Sequence, residues 1–210
     1  MGWQQIQTNI ASCAECTARW PSAVRRPLAV GEIPNPPEQV RLLFVGVAPT
    51  PDEGSSRGGH FYASANDKLR AGLFGVLSET PFNLPLSRLP VREANHKFFQ
   101  AGFFFVHAAK VRPITTLSPP HDCIRHCARR HLKLEIEHLA PLAVCFLGLG
   151  NAAPAAQELF GAQIGTEPNE AKVGNWSGFV AVAPQPVRGN APRIKNIVAE
   201  LLRLSETSLK

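Results

Sequence analysis

Four stretches of the chain are continuously apolar: residues 40–48 (VRLLFVGVA), 102–109 (GFFFVHAA), 142–149 (LAVCFLGL) and 178–183 (GFVAVA). An unbroken apolar run, rather than alternation, is how a strand reads when helices cover both faces of a parallel sheet. Between these runs the pattern takes on a helical period. Residues 66–77 open on the cap signal Asn66-Asp67, and 121–139 set Ile124, Leu132, Leu134, Ile136 and Leu139 among charged positions. Residues 151–160 open on Asn151, and 191–204 carry Pro192 in the first turn, where its missing N–H costs nothing. Strand alternating with helix predicts an α/β fold, a three-layer α/β/α sandwich around a central four-stranded, mainly parallel sheet, with 1–210 as a single domain. Functional side chains are then expected in loops at the carboxyl ends of the strands. The Pro-rich segment 17–39 has no period and reads as an irregular surface connection.

Composition narrows the class of partner. The chain has 210 residues, 44% hydrophobic and 18% charged, enough for one sizeable core. Lys plus Arg minus Asp plus Glu is 22 − 16 = +6, and the pI is near 9.4. That balance favours a polyanion. No apolar run approaches the ~18 residues of a membrane-spanning helix, so no membrane partner is expected. The five cysteines come without a secretory leader pattern, which argues against a disulfide framework and for a cytoplasmic chain, expected to be a monomer.

Reduced cysteines are either core residues or metal ligands, and spacing separates the two. Cys145 lies inside an apolar run and reads as core. Cys13 and Cys16 form a C-x2-C pair; Cys123 and Cys127 stand one helical turn apart on one helix face. Two pairs supply the four thiolates that a 4Fe-4S cluster or a tetrahedral zinc ion takes. His121, His126 and His131 lie nearby, which keeps a Cys/His zinc site open.

The first apolar run ends in Gly46-Val47-Ala48-Pro49, followed by a Gly- and Pro-rich loop to Phe61. Such a loop lets backbone approach a ligand closely and leaves amides to bind it, although it is neither a G-K-[S/T] phosphate loop nor G-x-G-x-x-G. In order, the chain carries Cys13/Cys16, Gly46-Val47-Ala48-Pro49 leading to Phe61, Val106-His107-Ala108-Ala109-Lys110-Val111-Arg112-Pro113, Cys127, Leu147-Gly148 and Ala183-Pro184-Gln185-Pro186. Over about 175 residues this order resembles the uracil-DNA glycosylase superfamily, most closely its iron–sulfur families four and five. There the motifs run C-x2-C, G-x-A-P with a following Phe, T-N-x-x-K-C-R-P, a helix Cys, L-G and H-P-S.

The resemblance implies a DNA glycosylase of base excision repair, removing uracil or another deaminated base by base flipping and N-glycosidic hydrolysis, with a structural 4Fe-4S cluster. It also exposes substitutions. Val111 stands where the family has a ligand Cys, and Cys123 is expected to replace it; His107 stands for the base-recognising Asn, and Gln185 for the His of H-P-S. Val47 matches the family-five loop. The expected base-binding set is Gly46, Val47, Ala48, Phe61 and His107, with Phe61 stacking on the extruded base. The expected catalytic set is His107 and Gln185 toward the base, with Asp52 or Glu53 orienting water. Arg188, Arg193 and Lys195 are expected to grip DNA phosphates, and Arg125, Arg129, Arg130 and Lys133 form a second basic face. The alternatives are a nucleic-acid-binding protein of the same fold without the chemistry, and a zinc-stabilised α/β domain.

Overall fold

The computed structural model describes residues 1–50, 61–115, 118–187 and 189–207. Its centre is a sheet of strands β2 (Leu42–Gly46), β3 (Phe103–His107), β5 (Ala143–Leu147), β6 (Asn169–Val173) and β7 (Trp176–Ala183), in the order β3-β2-β5-β7-β6. The four apolar runs form β2, β3, β5 and β7, all parallel, and residues 42–47, 103–107 and 143–147 are buried throughout. The sheet has five strands rather than four. Its extra edge strand β6 pairs antiparallel with β7, and its mostly exposed pattern, Asn-Glu-Ala-Lys-Val, hides it from a search for apolar runs.

Helices cover both faces. On one side α3 (Lys68–Ser78), α4 (Val91–Gln100) and α8 (Ala191–Thr207) pack on the sheet, with Phe98 of α4 against Phe44 and Phe103. On the other lie α1 (Trp3–Ala11), α5 (His121–Cys127), α6 (Lys133–Leu139) and α7 (Ala153–Phe160), with Trp3 edge-on to Phe104. Asp67 caps α3 as its sequence implies, accepting the Arg70 N–H at 2.7 Å. Helices α5 and α6 are one continuous element joined by a π-helical turn at Ala128–Leu132. A π-turn admits an extra residue per turn, and such turns gather at functional sites.

The segment 17–39 is less irregular than its Pro content implies. The short helix α2 (Glu15–Arg19) leads into β1 (Val24–Pro27), which pairs antiparallel with β4 (Val111–Pro113). Arg112 of β4 is buried and donates to Glu32 at 2.6 Å, which ties this ribbon down. The ribbon extends the backbone that leaves β3, so the N-terminal region is fastened beside the carboxyl end of the sheet.

Candidate active site and cysteine centre

Gly46 and His107 are register partners at the carboxyl ends of β2 and β3, so their Cα substituents face the same side. The chain then keeps the two loops together, because Ala108 N–H donates to Gly46 O and Ala109 N–H to Val47 O, both at 2.8 Å. The third loop, after β7, comes within reach of the first: around Gly148, the Gln185 side chain and the Val47 side chain approach one point, 3.5 and 3.6 Å from where a Cβ would stand. Gln185 is exposed, and its carbonyl accepts from Val187 N–H at 2.8 Å and from the Asn190 amide at 3.1 Å. The structure therefore gathers Gly46, Val47, Ala48, His107 and Gln185 at one edge of the sheet. Asp52, Glu53 and Arg188 lie outside the described residues.

Phe61 is only 2% exposed. Its ring lies flat on Phe105, with centroids 4.0 Å apart and planes at 11°, and edge-on to Phe74 and Tyr62. Its backbone is clamped by Arg70, a buried arginine that donates to Phe61 O at 2.8 Å and to Asn95 Oδ1 at 2.5 Å while its guanidinium rests 4.2 Å over Phe74. Asn95 in turn donates to Tyr62 O at 2.7 Å. Neither Arg70 nor Asn95 stands out in the sequence, since each sits among polar residues of an ordinary helix period.

Beneath His107, Lys110 is fully buried, and its ammonium donates to the His107 carbonyl and to the Glu135 carboxylate of α6. Burial raises the Glu135 pKa, and the charge and hydrogen bond of Lys110 oppose that rise. This buried pair is the link between the sheet edge and the helix that carries the cysteines.

Cys16, Cys123 and Cys127 are buried, and their sulfurs all lie within 4.8 Å of one another, with Cys16 and Cys127 at 3.2 Å. Glu15 explains why α2 meets α5: it pairs with His126 at 2.7 Å and with Arg130. The Cys127 thiol is held well below its ordinary value by hydrogen bonds from Cys123 and Cys16, helped by the Lys110 backbone N–H. Cys123 is pushed up to about 12 by its hydrogen bond to Cys127, and Cys16 is raised by its hydrogen bonds to Cys123 and then Cys127. Three buried sulfurs this close together are compatible with a metal ion, which thiolates ligate. Cys13 is half-buried and stands outside the triad, lining a cleft of about 520 Å³ with Glu15, Arg130 and His131. Burial lowers His131 to about 4, so its imidazole is neutral near pH 7. Cys145 is a core residue within β5, raised to about 12 by burial.

Among the described residues, four of the candidate basic side chains meet an acid. Lys195 pairs with Glu79 at 2.7 Å, Arg129 with Glu158 at 3.1 Å, Arg130 with Glu15 and Arg125 with Asp122 at 3.1 Å. Arg193 is exposed at the start of α8. No helix among the described residues is long and apolar enough to cross a membrane.

A mostly parallel sheet with helices on both faces and loops meeting at its carboxyl edge defines an α/β protein. Residues 33–201 match the model of the uracil DNA glycosylase superfamily, and the chain belongs to that family. No curated protein matches the chain.

Proposed function

We propose that the protein is a DNA glycosylase that hydrolyses the N-glycosidic bond of uracil or another deaminated base flipped out of DNA. The observation that carries this reading is the convergence of the β2, β3 and β7 loops on His107 and Gln185, in a chain of the superfamily. The bond between base nitrogen and C1′ breaks with its electron pair leaving on the base. His107 and the Gln185 amide donate to base carbonyl oxygens and spread that charge; Gln185 carries no positive charge and contributes less than an imidazolium would. Asp52 or Glu53 orients a water toward C1′ and takes one of its protons, and the departing base ends protonated on nitrogen. Phosphate contacts fall to Arg188, Arg193 and Lys195, the last of which must release Glu79 to make one.

The cysteine triad supports a structural metal centre held by Cys16, Cys123 and Cys127, with Cys13 as the candidate for the fourth sulfur. A 4Fe-4S cluster is the proposed group. When bound it staples α2 to α5 and supplies no step of base release. The compactness of the triad and the neutral His131 favour a zinc ion as the second reading.

Labelled duplexes carrying uracil, hypoxanthine or xanthine, incubated with the pure protein and treated with alkali, test the activity. Strand breaks above a no-enzyme control are expected for at least one lesion. Duplex binding without breaks would instead establish a non-catalytic nucleic-acid-binding protein, the reading favoured by Gln185 in place of a histidine.

A further inference from the structure

We propose that Phe105 is a specificity-determining residue that occupies the seat a flipped base would take on Phe61; the inference rests on the glycosylase reading for which base is meant. Of the five residues expected to surround the base, Phe105 touches three. It lies flat on Phe61 at 4.0 Å and 11°, the spacing and tilt of an offset ring stack. It stands edge-on to His107 at 4.9 Å. Its ring also covers Gly46, where a Cβ would come within 2.7 Å of its Cζ. Gly46, Phe105 and His107 share one face of the sheet, because Gly46 pairs with His107 and Phe105 lies two residues earlier. The absent side chain at position 46 thus makes the room that the Phe105 ring fills.

A planar ring between Phe61 and His107 stacks on the first and presents its edge to the second, and a nucleobase would use the same two contacts. The phenyl ring fills that space without offering a hydrogen bond to His107. Phe105 is also fixed at both backbone groups by the Tyr62 hydroxyl, so its ring clears the seat by side-chain rotation and not by a shift of β3. Replacing Phe105 by a smaller apolar residue leaves a dry, ring-shaped void lined by Phe61 and Gly46, and voids of that kind take up planar aromatic molecules.

The test uses the full chain as wild type, F105V, F105L and the double variant F61L/F105V, with free uracil and free hypoxanthine as probes in an NMR titration. Wild type is expected to bind both bases weakly, in the millimolar range or above. F105V and F105L are expected to bind uracil at least about tenfold more tightly, with hypoxanthine gaining less because the space freed is smaller than two rings. Adding F61L should abolish the gain. Micromolar binding by wild type, an unchanged affinity in whichever single variant folds, or a gain that survives F61L overturns the proposal. Base release from the labelled duplexes is scored separately. Tighter base binding with no strand breaks in any variant sinks the glycosylase reading and leaves the seat standing; breaks without any gain in base binding do the reverse.

Discussion

The Tyr62 hydroxyl closes the outer edge of β3 at a single residue: it accepts the Phe105 N–H at 2.7 Å and donates to the Phe105 carbonyl at 2.9 Å. An edge strand ordinarily leaves such a pair of backbone groups to water. Here both are buried, so one phenol oxygen answers for a donor and an acceptor at once. Burial raises the Tyr62 pKa well above its ordinary value, and the hydroxyl stays protonated as the bridge requires. Tyr62→Phe keeps the ring and orphans both groups. We expect a loss of about 2–4 kcal/mol in denaturant unfolding, on the usual cost of a buried unpaired polar group; a change below about 0.5 kcal/mol would show that water replaces the hydroxyl.

Lys110 and Glu135 form a buried ion pair whose separate removal should differ from its joint removal. Lys110→Met leaves the buried Glu135 carboxyl without its partner and is expected to cost about 3–5 kcal/mol. The double variant Lys110→Met/Glu135→Leu should recover most of that loss, since an apolar pair of similar volume suits the site. Equal instability of the single and double variants would mean that the hydrogen bond to the His107 carbonyl, rather than the pairing, is what matters.

Removing a triad thiol should abolish metal binding where removing a core thiol does not. Cys127→Ser is expected to lose bound metal and to lower the melting temperature, while Cys145→Ser keeps its metal. A brown preparation with visible sulfur-to-iron absorption identifies the cluster, and a colourless one with stoichiometric zinc identifies the ion. Cys13→Ser is the informative third variant, because it reports whether the half-buried thiol is the fourth ligand.

His131 predicts a pH dependence of stability. Its folded value of about 4 lies below the ordinary 6.5, so the unfolded chain binds the proton more readily. Stability from this residue is therefore complete above about pH 6.5 and declines as pH falls toward 4, by about 3 kcal/mol over the whole interval. His131→Gln should flatten this part of the profile, measured by urea unfolding at pH 7.5, 6 and 5. A steeper decline in the variant would contradict the assignment.

His107→Ala should separate chemistry from binding. Base release is expected to fall at least about 100-fold, as for loss of a residue that stabilises the departing group, with duplex affinity changed less than about threefold. Parallel losses in both quantities would place His107 in DNA contact instead.

What the sequence discloses and what it conceals follow from one physical distinction. Strands β2, β3, β5 and β7 are covered on both faces and must be apolar throughout, so they are visible as runs. Strand β6 meets the sheet only at its edge and β1 carries Arg25, Arg26 and Pro27, so neither has the composition of a strand. Helix α4 is amphipathic but mostly polar and buries only Ala94 and Phe98, so no apolar segment marks it. The cysteine pairs are legible from their spacing alone, and three of the four meet. Phe105 is the opposite case: within Phe103-Phe104-Phe105 it reads as core like its neighbours, and only the space over Gly46 distinguishes it.

Gly72 of α3 fixes how closely that helix meets the loop after β7. A Cβ there would stand 1.7 Å from the Pro186 carbonyl, so the helix and the loop after β7 touch backbone to side with no spacer between them. Glycine inside a helix costs about 1 kcal/mol relative to alanine, and the contact is what that cost sustains. The approach of α3 to the loop that bears Gln185 is thereby set by a hydrogen atom. A single methyl group at position 72 would have to push α3 and the loop after β7 apart, displacing Pro186 beside Gln185 without touching the Gln185 side chain itself.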